Sequence, residues 1–144
     1  MSATLDANVL LYASDESSPF HERALDLVGE VARGPDIVYV FWPTVMAYLR
    51  ISTHPAIFSR PLSLETAIGN VEALARLPHI QMPGEHERFW PRFQEVALEA
   101  DARANLVSDA HLVALMRENG VGSVWTHGRD FRRFRSIDVR DPFE

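Results

Sequence analysis

At 144 residues with a net charge of −6, the chain is the length of one domain and long enough to bury a sizeable core. It has no cysteine, which excludes a disulfide framework, thiolate chemistry and cysteine–zinc sites. All fourteen basic side chains are Arg, so mechanisms that need a lysine, such as Schiff bases and P-loops, are excluded as well. The acidic balance argues against non-specific nucleic-acid binding through a broad basic surface, while leaving room for a local basic face.

The start, MSATLD, lacks the basic and apolar stretch of a signal peptide, and no run approaches about 18 apolar residues. A cytoplasmic protein without membrane contact is expected. There are no repeats or low-complexity tracts, so residues 1–144 are expected to form one domain.

In chain order, Ser2–Asp6 reads as a short strand and Ala7–Ala13 as a first helical turn or two. Ser18 and Pro19 offer a cap and a first helical residue. Phe20, Ala24, Leu27, Val28 and Val31 then recur at helical spacing as far as Gly34. The run from Ile37 to Trp42 is β-branched and aromatic throughout, the pattern of a strand covered on both faces. Pro43–His54 reads as a helix. Ser63–Leu77 is another, capped by Ser63, with Leu64, Ile68, Val71, Leu74 and Ala75 on one face.

His79–Met82 is a third strand, and Glu85–Ala102 looks helical with an interruption expected at Pro91. Ser108 is placed to cap a helix Asp109–Asn119 that stops at Gly120. Gly122–Thr126 is a strand, Asp130–Phe134 a helical turn, and Ile137–Val139 a last strand. Strands alternating with helices predict a three-layer α/β fold with a mainly parallel central sheet flanked by helices.

Sites in such sheets form beyond the carboxyl ends of strands. Asp6 ends the first strand, Asp109 opens the helix before the GSVWT strand, and Asp130 follows that strand. Each acid has an ordinary structural use, as a helix cap or a partner of the helix dipole. Together they could instead converge at one sheet edge, where two carboxylates about 4 Å apart repel by roughly 4 kcal/mol at an effective dielectric near 20. A cluster of that kind persists when protons or a hard cation such as Mg²⁺ or Mn²⁺ neutralise it.

The ordered segments LDANVLLYA at 5–13, LRISTHPAIFSRPLS at 49–63, LVSDAHLVALMRENG at 106–120 and VWTHGRDFRRF at 124–134 resemble the PIN-domain endoribonucleases. Within them they resemble the VapC toxins of bacterial toxin–antitoxin pairs. The resemblance implies a PIN-like fold and a Mg²⁺- or Mn²⁺-dependent endoribonuclease. Asp6 and Asp109 would be metal ligands, and Asn8 and Thr126 would orient carboxylates or waters. It further implies an RNA substrate, with tRNA and rRNA among the candidates, a homodimer and a VapB-type antitoxin. The family often carries a Glu where this chain has Ala47, and its last acid commonly lies at the place of Gly128. The nearest acid here is Asp130, which is taken as the third catalytic and metal-binding residue.

Arg50, Arg129, Arg132 and Arg133 are candidates to hold RNA phosphates, the last three from an Arg-rich segment that also carries Arg135 and Arg140. The alternative for that segment is a solvated surface balanced by Asp138, Asp141 and Glu144, and Arg50 could instead pair with a carboxylate of the site. His111 and His127 lack metal-ligand spacing. Two other functions stand beside this one. A catalytically degenerate PIN module acting by RNA or protein binding is compatible with Ala47 and Gly128. A receiver-like phospho-acceptor domain requires a lysine that the chain lacks.

Overall fold

The computed structural model describes residues 2–144. A five-stranded, wholly parallel sheet runs in the order β3-β2-β1-β4-β5. Its strands are β1 (Ala3–Leu5), β2 (Val38–Tyr39), β3 (Ile80–Gln81), β4 (Ser123–Trp125) and β5 (Asp138–Arg140). Six helices complete the chain: α1 (Ala7–Ser14), α2 (His21–Arg33), α3 (Trp42–Ser52), α4 (Leu64–Ala75), α5 (Phe89–Glu99) and α6 (Asn105–Glu118). A 3-10 turn spans Arg129–Arg133.

Alternation along the strands separates two apolar clusters, one on each face. Leu5, Val38, Val40 and Ile80 join residues of α1 to α4, whereas Phe41 and Val124 join α5, α6, Phe131 and Phe134. The three-layer α/β expectation therefore holds, with α1–α4 over one face and α5–α6 over the other.

Several boundaries differ from the sequence reading. The run at 37–42 forms a two-residue strand only. Ile37 is exposed, and Trp42 begins α3 with Pro43 in its first turn, where a missing N–H costs nothing. Ser18 does not cap α2; its hydroxyl accepts from the amide of Phe20 at 3.1 Å in a preceding turn, and the helix begins at His21. Ser63 does cap α4, accepting from the Thr66 amide at 3.1 Å. The buried position of that helix is Ala67, while Leu64 and Ile68 stay exposed. Pro91 falls in the first turn of α5 instead of interrupting it, because the helix starts at Phe89 and not at Glu85.

Ser108 does not cap α6 either. The helix starts at Asn105, after Ala104 in a left-handed conformation with φ 51°, and it buries Leu106. Asp109 thus sits in the second turn, with no acid in the first. No helix among the described residues is long and apolar enough to cross a membrane.

Candidate active site

Asp6 leaves β1 with extended backbone and begins α1, where its Oδ1 accepts from the Ala7 amide at 2.8 Å. The cap role foreseen for it is real. Its other oxygen is used differently: Oδ2 accepts from the Thr126 hydroxyl at 2.8 Å and from Asn8 Nδ2 at 3.2 Å. Thr126 follows β4, which pairs in parallel with β1, and the Asp6 amide donates to the Trp125 carbonyl at 2.9 Å. Pairing of the two central strands is therefore what brings residues 6 and 126 together.

Thr126 is buried, and its hydroxyl is saturated. Besides donating to Asp6, it accepts from the Gly128 amide at 2.9 Å and from Asn8 Nδ2 at 3.2 Å. The Asn8 carboxamide oxygen in turn accepts from the His127 amide at 3.4 Å. Three of the roughly four acceptor positions of the Asp6 carboxylate are occupied, which leaves one for a ligand. Burial raises the Asp6 pKa above its ordinary value, opposed by the hydrogen bonds from Thr126 and Ala7.

Asp109 approaches from α6. It is half-buried, and its pKa is pushed up to about 7, first by burial and then by the negative charges of Asp6 and Asp130. Its place in the second turn removes the dipole role that the sequence allowed it. Asp130 lies exposed in the 3-10 turn. Asp109 on α6 thus lies within electrostatic reach of both Asp6, at the end of β1, and Asp130, in the turn after β4.

The other candidates spread more widely. Arg50 is exposed in the last turn of α3 and, among the described residues, pairs with no carboxylate. Arg129 is exposed beside Asp130. Arg132 lies 3.7 Å from Glu144, and Arg133 donates to the Ala100 carbonyl at 3.1 Å. Arg140 pairs with Asp138 at 2.9 Å and lies over the Trp125 ring. Ala47 is half-buried on α3. Gly128 is packed closely: a Cβ there would stand 3.2 Å from the Thr126 hydroxyl and 3.9 Å from Asn8 Nδ2.

Sequence reasoning missed one participant. His127 Nδ1 is 2.8 Å from Asp141 Oδ2, and Asp141 was read only as a surface charge balancing arginines. The signal was indirect: β4–β5 register sets Trp125 beside Arg140, so residues 127 and 141 leave the sheet side by side.

The donor set consists of hard carboxylate oxygens that repel one another, which suits a divalent cation better than a soft or monovalent one. Among the described residues, no three His, Cys, Asp or Glu side chains are drawn to a common coordination point.

Comparison with known proteins bears on the whole chain. The PIN-domain model matches residues 3–137. Ribonuclease VapC48 of Mycobacterium tuberculosis is 47% identical over 143 residues, covering 99% of both chains. Among solved structures, VapC20 of Mycobacterium tuberculosis, a Sarcin-Ricin loop cleaving toxin, superposes with a TM-score of 0.69 at 16% identity, over 96% of this chain and 99% of the other. VapBC-1 of nontypeable Haemophilus influenzae gives 0.70 at 15% identity and covers all of both chains, a likeness of fold. The chain belongs to the PIN-domain family and, within it, to the VapC ribonucleases.

Proposed function

We propose that the chain is an RNA-cleaving toxin in which Asp6 and Asp109, with Asp130 at the mouth, hold one divalent ion, Mg²⁺ or Mn²⁺. The observation that carries this reading is the gathering of acids from three separate elements, with Asp109 within electrostatic reach of both Asp6 and Asp130 and Asp6 held by Thr126 and Asn8. When bound, the ion would polarise the phosphodiester and lower the pKa of an attacking water.

The chain's own groups prepare that chemistry. Thr126 and Asn8 aim the Asp6 carboxylate and limit its rotation. With its pKa pushed up to about 7, Asp109 exchanges its proton near neutrality, so a bound cation would favour its anionic form. Arg50 and Arg129 have guanidinium groups free of carboxylates and could receive RNA phosphates. Arg132 and Arg133 would first have to leave Glu144 and Ala100.

Partners follow by likeness. One of the neighbouring structures is a toxin–antitoxin complex from Klebsiella pneumoniae, which supports a VapB-type antitoxin here. An apolar cavity of about 370 Å³, lined by Leu10, Leu25, Val28, Val71, Leu74 and Leu77, offers a seat for an apolar segment of such a partner. A homodimer is the state proposed for the free toxin.

The second reading, a PIN module that binds without cutting, is favoured by Ala47 and Gly128 standing where acids are common in the family. Incubation with total RNA, with Mg²⁺ or Mn²⁺ and with chelator, separates the two. New 5′ ends at discrete sites only in the presence of metal are expected. RNA binding without cleavage in either metal would favour the second reading and overturn the first.

A further inference from the structure

The last residues of the chain reach the site from a direction that the acids do not require. Asp141 is nearly buried, its side chain 7% exposed, and its Oδ2 lies 2.8 Å from His127 Nδ1. A carboxylate oxygen accepts, so the pairing assigns Nδ1–H as the donor. Oδ1 accepts from the Phe143 amide at 2.9 Å, closing a tight turn over residues 141–143. The Arg23 guanidinium donates to the Pro142 carbonyl at 3.0 Å and ties this turn to α2.

The same turn places the Phe143 ring in a group of four. Ring centroids of His127 and Phe143 are 5.4 Å apart, those of His127 and Phe20 4.8 Å, and those of Tyr12 and Phe143 5.3 Å. Aromatic pairs at these separations are individually worth about 0.5–1.5 kcal/mol beyond their burial. The imidazole is therefore fixed on one side by an ionic hydrogen bond and on others by rings from α1, the α1–α2 connection and the C-terminus.

What is fixed matters because of the next bond along. The His127 backbone amide donates to Asn8 Oδ1, and Asn8 Nδ2 donates to both Asp6 Oδ2 and the Thr126 hydroxyl. A carboxamide whose oxygen has a donor points its NH₂ one way only. A rotated Asn8 would turn its oxygen toward the Asp6 carboxylate.

Resting on the nuclease reading above, we propose that Asp141, His127 and Phe143 form a carboxyl-terminal clasp that positions Asn8 and, through it, the Asp6 carboxylate. Asp141 and His127 are positioning residues and touch no reacting atom. Asp141 and Phe143 lie beyond residues 3–137, the stretch matched by the PIN model.

Two variants of the full-length protein test this. Asp141→Ala removes both acceptors, whereas Asp141→Asn keeps one carboxamide oxygen that can accept from Nδ1 and gives up only the bond from the Phe143 amide. Loss of an outer partner of this kind lowers activity about 10- to 100-fold, so Asp141→Ala is expected to lose about tenfold in kcat at nearly unchanged KM. Asp141→Asn is expected to recover most of it. The Asn8 side-chain NH₂ resonances should move in the Ala variant and not in the Asn variant. Unchanged kcat in Asp141→Ala, equal impairment in both variants, or unmoved Asn8 resonances would overturn the clasp. If Asp141→Ala does not fold, His127→Phe keeps the ring packing, drops the same bond and carries the same comparison. An Asp6→Asn control that cleaves like wild type would defeat the role given to Asp6 in the nuclease site, and the Asn8 resonances would still decide the clasp.

Discussion

The Thr126 hydroxyl donates to the Asp6 carboxylate at 2.8 Å, although the two residues stand 120 positions apart. The bond exists because β1 and β4 pair in parallel and both chains leave the sheet at the same edge. Acid, orienting hydroxyl and orienting amide are thus set by the pairing of two three-residue strands.

Removing that hydroxyl should be costly beyond the one bond. Thr126→Val leaves Asp6 Oδ2 short of a donor, and Asn8 Nδ2 and the Gly128 amide short of an acceptor. Stranding buried polar groups costs about 1–3 kcal/mol each, and losing an orienting partner lowers activity about 10- to 100-fold. Thr126→Ser retains all three bonds and should stay close to wild type. Thermal denaturation together with RNA-cleavage rates for the two variants checks both halves.

Stability of the metal-free protein should fall as pH rises through neutrality. Asp109 holds its proton up to about 7, far above its ordinary 3.8, and Asp6 is raised too. Between about pH 4 and 7 the folded state keeps a proton that the unfolded chain has released, so stability declines across that window and levels off above it. Because Asp109 is partly solvated, the expected loss is only about 1 kcal/mol, or about 3 °C in midpoint. Asp109→Asn should flatten the profile and raise the midpoint at pH 8, as read by thermal melts in chelator.

If Asp109 holds the proposed ion, proton and cation compete for its carboxylate, so apparent Mg²⁺ affinity should rise with pH and begin to level off above about 7. Calorimetric titrations at pH 6 and pH 8 should differ by about tenfold in wild type and by much less in Asp109→Asn.

Gly128 has φ −77° and ψ 121°, a backbone that any residue adopts, so only space opposes a side chain there. A methyl group would meet the Thr126 hydroxyl at 3.2 Å, and that oxygen is held by three hydrogen bonds and cannot yield freely. Gly128→Ala is expected to destabilise by about 1 kcal/mol and to slow cleavage several-fold. Parallel melts and rate measurements decide it.

Local signals made much of this legible in advance. Parallel α/β layering followed from alternating strands and helices, and Ser63 was recognisable as a cap because a hydroxyl preceded a periodic apolar face. Asp6 and Asp130 were readable at one edge because each follows a strand of a parallel sheet, whereas Asp109 comes to them from the second turn of α6. Boundaries failed where tertiary packing decided them. Ile37–Trp42 reads as a long strand by composition, yet only two of its residues pair as strand, and the chain turns into α3 at Trp42. Ser108 has the chemistry of a cap, but burial of Leu106 extends the helix one turn earlier. The contact between His127 and Asp141 depends on the register of β4 with β5, which no local pattern of either segment reveals.

Cleavage of RNA by Asp6→Asn, measured against wild type in saturating Mg²⁺ or Mn²⁺, bears most directly on the role assigned to the site. Asn preserves the size of the side chain but removes the charge, and its one carbonyl oxygen can keep only one of the bonds from Ala7 and Thr126. A folded Asp6→Asn protein with its cleavage rate reduced about 100-fold or more is the predicted result. A folded variant that cuts RNA at the wild-type rate would contradict it.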